Sequence, residues 1–204
     1  MRVVLEKPDF YNVDDLFTEE ELLVRDTVRS WSREEFLPLV EKAFHDGSFP
    51  LEKAKELAPL GVFGANIDGY GCAGLSNTAY GLIMQELEWV DSGLRSFVSV
   101  QGALCMYPIN TFGSEEQKEK WLPRMAAGEV IGCFGLTEPD FGSNPGGLLT
   151  RAEDKGDHYL LNGTKMWITN ATIADLAIVW AKLDGEVCGF LVEKGTPGYS
   201  APEQ

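Results

Sequence analysis

The sequence predicts an α+β chain, with an all-helical N-terminal domain over residues 1–130 followed by an incomplete antiparallel β-barrel or sandwich over residues 131–204. Three observations predict it. Two capping boxes, Thr18-Glu-Glu-Glu21 and Ser114-Glu-Glu-Gln117, mark helix starts in the first part, where apolar residues recur at helical spacing. After Ile131 the pattern changes to short apolar or alternating segments. Between those segments stand Asn162-Gly163 and Asp184-Gly185, dipeptides that tolerate the positive φ of a hairpin turn.

Taken in order, residues 1–17 carry mixed signals and read as an arm. Thr18 opens a helix whose apolar face holds Leu22, Val24, Val28 and Trp31. Pro38 is expected to kink or break it, with helix resuming from Leu39 to Phe44. Leu51 to Leu60 reads as a short helix stopped near Gly61. Ser76 caps a helix to about Val90, with Ala79, Leu82, Ile83, Leu87 and Val90 on one face. A helix from Leu94 to Tyr107 is expected to stop around Pro108. Ser114 opens another that carries Trp121, and Gly128 closes the helical half. The expected strands are Ile131–Leu136, Leu148–Glu153, His158–Leu161, Lys165–Thr169, Ala174–Ala181 and Val187–Glu193.

Composition removes several classes of function. The chain has 204 residues, enough for one domain or two small ones, each with a core. A net charge of −15 opposes a phosphate backbone, so nucleic acid is not an expected partner. No apolar run approaches the ~20 residues of a membrane helix. Met1 to Pro8 lacks the apolar run of a secretory segment. The expected location is therefore cytoplasmic, or the mitochondrial matrix in a eukaryote. Cys72, Cys105, Cys133 and Cys188 are scattered without a CxxC. With only His45 and His158 beside them, neither a zinc site nor His-based nucleophilic chemistry is expected.

Gly69-Tyr-Gly71-Cys-Ala-Gly74 has the form GxGxxG, which in a βαβ unit would cradle a dinucleotide. Asn66, Gly64 and Asp68 spoil the strand it needs, and the segment reads as a loop. Cys133-Phe-Gly-Leu-Thr-Glu-Pro-Asp-Phe-Gly-Ser-Asn-Pro-Gly-Gly147 is more informative. It runs from a strand into a loop with hydroxyls at Thr137 and Ser143 and glycines that let N–H groups converge. Thr164-Lys-Met-Trp-Ile-Thr-Asn170 adds a Trp and two Thr. Together they suggest a pocket for a flat, phosphate-bearing cofactor; the alternative is an ordinary surface turn and a core Trp.

These two motifs, with Asp91-Ser-Gly-Leu-Arg-Ser-Phe-Val-Ser-Val-Gln101 and Thr111-Phe-Gly-Ser-Glu-Glu-Gln-Lys-Glu-Lys-Trp-Leu-Pro123, resemble the acyl-CoA dehydrogenase family, most of all its glutaryl-CoA dehydrogenase branch. The resemblance runs from about Phe17 to the last residue. It implies FAD as cofactor, an acyl-CoA substrate, electron-transferring flavoprotein as acceptor and a homotetramer. It implies that Phe134, Gly135, Leu136, Thr137, Glu138, Pro139, Asp140, Phe141, Gly142 and Ser143 run along the flavin, with Thr137 near its polar edge. It further places Trp167 and Ile168 at the ring and the Thr169 hydroxyl near N5. Ser143 would sit where the flavin and acyl-CoA sites meet.

In the glutaryl branch an Arg-Ser pair contacts the distal carboxylate of the acyl group, which implies that role for Arg95 and Ser96. An apolar substrate would leave a pocket-facing Arg95 uncompensated. Leu94, Phe97, Phe141 and Asn144 depart from that branch's usual residues and leave the pocket's shape open. The implied reaction oxidises glutaryl-CoA across Cα–Cβ to crotonyl-CoA and CO₂. The family's catalytic glutamate lies in a C-terminal helical part that no residue here matches, so the chain is expected to be a fragment. The alternatives are a short- or medium-chain monocarboxylic acyl-CoA dehydrogenase and a truncated, non-catalytic module.

Overall fold

The structure, a computed structural model, describes residues 10–202. Residues 1–9 of the expected arm lie outside that range, and residues 13–16 form a single 3₁₀ turn. Both capping boxes form. The Thr18 hydroxyl accepts from the Glu21 N–H at 3.2 Å and the Glu21 carboxylate accepts from the Thr18 N–H at 2.9 Å, opening α1 (Glu19–Trp31). Ser114 and Gln117 do the same for α7 (Glu115–Ala126).

Neither Pro38 nor Pro108 ends a helix. Each follows a π-turn: Ser32–Phe36 leads into α2 (Leu37–Asp46), and Val100–Met106 joins α5 (Ser92–Ser99) to α6 (Tyr107–Phe112). A π-turn shifts the hydrogen-bond register by one residue, and a proline in the first turn of the next helix needs no donor there. The helix expected to stop near Pro108 therefore continues to Phe112. Between these lie α3 (Leu51–Lys55) and α4 (Asn77–Val90), the latter capped by Ser76. Gly69, Gly71 and Gly74 all have positive φ in an irregular loop with no strand beside it, so the dinucleotide reading of GxGxxG finds no βαβ unit.

Among the described residues there are five strands, β1 (Gly132–Gly135), β2 (Arg151–Asp154), β3 (Tyr159–Asn162), β4 (Leu176–Leu183) and β5 (Glu186–Glu193). The hairpins β2–β3 and β4–β5 are antiparallel as expected. The sheet as a whole is mixed, because β1 and β2 both run parallel to β4. β5 occupies one edge of β4 along its whole length. On the other edge, β1 pairs with Leu176–Val179 and β2 with Lys182, so β1 and β2 are two halves of an interrupted strand. Residues 136–150 are the excursion between them.

Two strand-level expectations fail. Asp184 and Gly185, at φ 50° and 91°, do turn β4 into β5. Asn162-Gly163 is not a hairpin turn, because the chain leaves the sheet there and the β2–β3 reversal lies at Gly156. Gly163 instead answers a close approach: a Cβ on it would stand 2.2 Å from Thr150 Oγ1. Residues 165–169 are not a strand, since Trp167 and Asn170 adopt left-handed φ values of 57° and 68° that no strand accommodates.

Side-chain alternation divides the sheet. Leu176 and Ile178 join a core that runs through Phe36, Phe63, Leu87, Leu94, Phe97 and Met106 of the helical half. Cys133, Ala177 and Val192 face a smaller cluster on the other side. The joint between the halves is polar at one point. Buried Gln101 donates to the carbonyls of Val130 at 2.7 Å and Met125 at 3.1 Å, and accepts from the Gly132 N–H at 2.8 Å. That amide fixes where β1 starts relative to the helices.

Candidate flavin site

The chain departs from the β4 edge after Gly135 and rejoins it where the Thr150 carbonyl accepts from the Lys182 N–H at 2.9 Å. Within the excursion, Glu138 and Phe141 exchange backbone hydrogen bonds of 3.2 and 3.1 Å, closing a tight turn over Pro139 and Asp140. A 3₁₀ turn at Pro145–Gly147 brings the chain back. A cleft of about 300 Å³ opens between the Glu138–Phe141 turn, Leu149–Arg151 and Asn162–Thr164. A larger cleft, about 400 Å³, lies between α6 and the β4–β5 hairpin and contains no residue of the 133–147 or 164–170 motifs.

Glu138 does not point its carboxylate outward. It is 4% exposed and accepts from the Leu149 N–H at 2.5 Å, the Thr150 N–H at 2.9 Å, the Thr150 hydroxyl at 2.5 Å and Lys165 Nζ at 2.9 Å. Burial alone would raise its pKa. The Thr150 hydroxyl, the Leu149 N–H and Lys165 outweigh that and hold it at about 2. Its carboxylate is thus engaged within the protein, where it shapes the loop.

The second motif lies alongside. The Met166 N–H donates to the Thr137 carbonyl at 2.9 Å, and Lys165 Nζ donates to the Leu136 carbonyl at 3.1 Å. Trp167 follows at positive φ with its ring 84% exposed, while Ile168 packs on the smaller cluster. An indole held out to solvent on a left-handed residue is a poor core aromatic, which removes the core-Trp alternative. Phe134, in contrast, is half-buried in edge contact with Trp180, ring centroids 5.8 Å apart.

The hydroxyls of Thr137, Ser143 and Thr169 take no hydrogen bond within the described residues, and Gly142 has open space where a Cβ would be. Three unengaged hydroxyls and one exposed indole on two adjoining segments fit a flat heterocycle with a polar edge. Gly135 is buried in β1, Leu136 is half-buried, and Pro139, Asp140 and Phe141 form the turn.

Arg95 and Ser96 sit on α5. The Arg95 guanidinium, 36% exposed, donates to Glu88 at 2.6 Å and to the Ser99 hydroxyl at 3.5 Å. An apolar substrate would thus not leave Arg95 uncompensated, because Glu88 already faces it. Reading the sequence alone missed Glu88, Thr150 and Lys165. Lys165 was visible as a charge inside an otherwise apolar motif, but its partner lies 27 residues away.

Among the described residues, no group of three or more acidic, His or Cys side chains could hold a metal, and no helix is long and apolar enough to cross a membrane. Residues 18–129 match the family model for the acyl-CoA dehydrogenase N-terminal domain and residues 133–204 that for its middle domain; the chain belongs to the acyl-CoA dehydrogenase family.

Among solved structures it is similar to a glutaryl-CoA dehydrogenase from Mycobacterium smegmatis in complex with FADH2, at 54% identity and TM-score 0.93, covering 95% of this chain and 50% of that one. Butyryl-CoA dehydrogenase from Megasphaera elsdenii is 35% identical at TM-score 0.82, covering 89% and 50%. An acyl-CoA dehydrogenase of Bacillus subtilis is 36% identical over 90% of this chain and 50% of its own length. The chain spans about half the length of the curated relatives it matches.

Proposed function

We propose that this chain is the helical and flavin-bearing part of an FAD-dependent acyl-CoA dehydrogenase that acts on glutaryl-CoA. The observation that carries the flavin reading is the exposed Trp167 beside the unengaged hydroxyls of Thr137, Ser143 and Thr169. When bound, FAD supplies a hydride acceptor for Cβ of an acyl thioester. Thr137 and Thr169 would donate to the polar edge of the ring and Trp167 would cover one face, fixing the plane against which substrate is presented. Ser143 would stand at the mouth shared with the thioester. The proton on Cα needs a base, and no residue of this chain is assigned that role. Electron-transferring flavoprotein as acceptor and a tetrameric assembly belong to the same proposal.

The glutaryl assignment is supported by Arg95 beside Ser96 and by 54% identity to a glutaryl-CoA dehydrogenase. A distal carboxylate would compete with Glu88 for the guanidinium. The same Arg95–Glu88 pair favours a second reading, a monocarboxylic substrate, in which Glu88 keeps Arg95 occupied permanently. Anaerobic addition of glutaryl-CoA or butyryl-CoA to the FAD-loaded longest reading frame containing this chain separates them. Flavin bleaching by glutaryl-CoA, lost in Arg95→Met, is the expected result. Bleaching by butyryl-CoA alone would overturn the substrate and keep the family.

A further inference from the structure

We propose that the Glu138–Lys165 ion pair is a positioning device: it ties the neck of the 136–150 excursion and sets the spacing between Thr137 and Trp167. This rests on the reading of those two segments as the flavin site. Neither segment is part of a strand, since β1 ends at Gly135, β2 starts at Arg151, and residues 163–175 belong to no strand; the Asn170 amide on the Gly132 carbonyl, at 3.3 Å, ties the far end of the second segment to β1. Direct links between them are few. They are the Met166 N–H on the Thr137 carbonyl and the two hydrogen bonds of Lys165 Nζ, to the Leu136 carbonyl and the Glu138 carboxylate.

Glu138 closes the arrangement from the other side. One carboxylate grips the returning chain at Leu149 and Thr150 while holding Lys165. The point of departure, the point of return and the second motif thus meet on a single pair of oxygens. The ammonium is 12% exposed and the carboxylate 4%. A buried pair of this kind adds little net stability over apolar side chains of the same size. What it adds is direction, because charge-assisted hydrogen bonds tolerate little change in geometry. Thr150 completes the joint, packed so close to Gly163 that no side chain fits between them.

A second buried carboxylate provides the control. Glu86 pairs with Arg29 at 2.8 Å across α1 and α4, two helices already joined by the main core, and far from either motif in the chain. Amide exchange on this chain reads the difference. Glu138→Gln and Lys165→Met are expected to speed exchange at Met166 about tenfold or more beyond any change at Ile178 and Val179 in β4, the loss of a charge-assisted hydrogen bond on top of any global loss of stability. Glu86→Gln should lower the melting temperature without a local effect at Met166. Wild-type protection of Met166 in Glu138→Gln, or equal loss in Glu86→Gln, would overturn the proposal.

If the single variants fail to fold, Glu138→Leu/Lys165→Met removes both buried charges. It should fold with Met166 exchanging fast, and native protection there would count against the pair. FAD titration of the longest reading frame containing this chain, followed by flavin fluorescence, adds a readout that stability alone does not move. Glu138→Gln should weaken binding about tenfold while Glu86→Gln leaves it unchanged. Equal affinity in Glu138→Gln and wild type overturns the positioning role. No binding by wild type overturns the flavin reading, and the exchange result then decides the pair by itself.

Discussion

Lys165 Nζ lies 2.9 Å from Glu138 Oε1, and through that contact the two motifs that carry the family resemblance are joined away from the sheet. The pair dictates a particular response to acid. The Glu138 pKa is held at about 2, below its ordinary 4.5. Its stabilisation is therefore complete above the ordinary carboxylate range, weakens as pH falls below it, and is gone once pH passes the folded value. Glu138→Gln should cost about 3 kcal/mol at pH 7. Denaturant melts should show that difference shrinking between pH 4.5 and 2. A difference independent of pH across that window would contradict the assignment.

Gln101 satisfies three backbone groups at the joint of helices and sheet. Gln101→Leu leaves the Val130 carbonyl and the Gly132 N–H buried without partners, while the Met125 carbonyl keeps the Gly128 N–H, at a cost of about 3 kcal/mol in a urea melt. Exchange should quicken first at Gly132, whose N–H loses its acceptor.

Gly132 has no room for a side chain. A Cβ there would stand 2.7 Å from Cys105 Sγ and 3.0 Å from Met125 Cε. Gly132→Ala should destabilise the chain by about 1–3 kcal/mol through overpacking. Adding Cys105→Ala should recover part of that loss, because the offending sulfur is removed.

Arg95 is half-exposed, and so is its partner Glu88. The pair should contribute less than about 1 kcal/mol to folding. Arg95→Met should therefore leave the melting temperature nearly unchanged. A large loss would mean that Arg95 is structural and would weaken its assignment to substrate.

The helical half was legible because its signals are local. A capping box or an apolar face occupies a few adjacent residues, and Thr18, Ser76 and Ser114 all cap where the sequence places them. Pro38 and Pro108 misled because a π-turn, which has no sequence signature of comparable strength, absorbs each of them. In the β part, Asp184-Gly185 was readable as a turn. Parallel pairing of β1 and β2 with β4 was not, since it depends on partners more than 30 residues away.

The site divides along the same line. Trp167, Thr137 and Ser143 stand out within short motifs. Whether a carboxylate in such a motif faces a ligand or turns inward depends on Thr150 and Lys165, which composition does not connect to Glu138. Likewise nothing adjacent to Arg95 announces Glu88, seven residues back on the preceding helix.

The central claim is that the Thr137–Ser143 and Trp167–Thr169 segments hold a flavin. Its most direct test is the absorbance spectrum of the longest reading frame containing this chain, purified with FAD supplied, compared with Trp167→Ala. The account predicts a bound flavin band in the wild type and a shifted or weakened band in the variant. A protein that retains no flavin, or a band indifferent to the loss of Trp167, would contradict it.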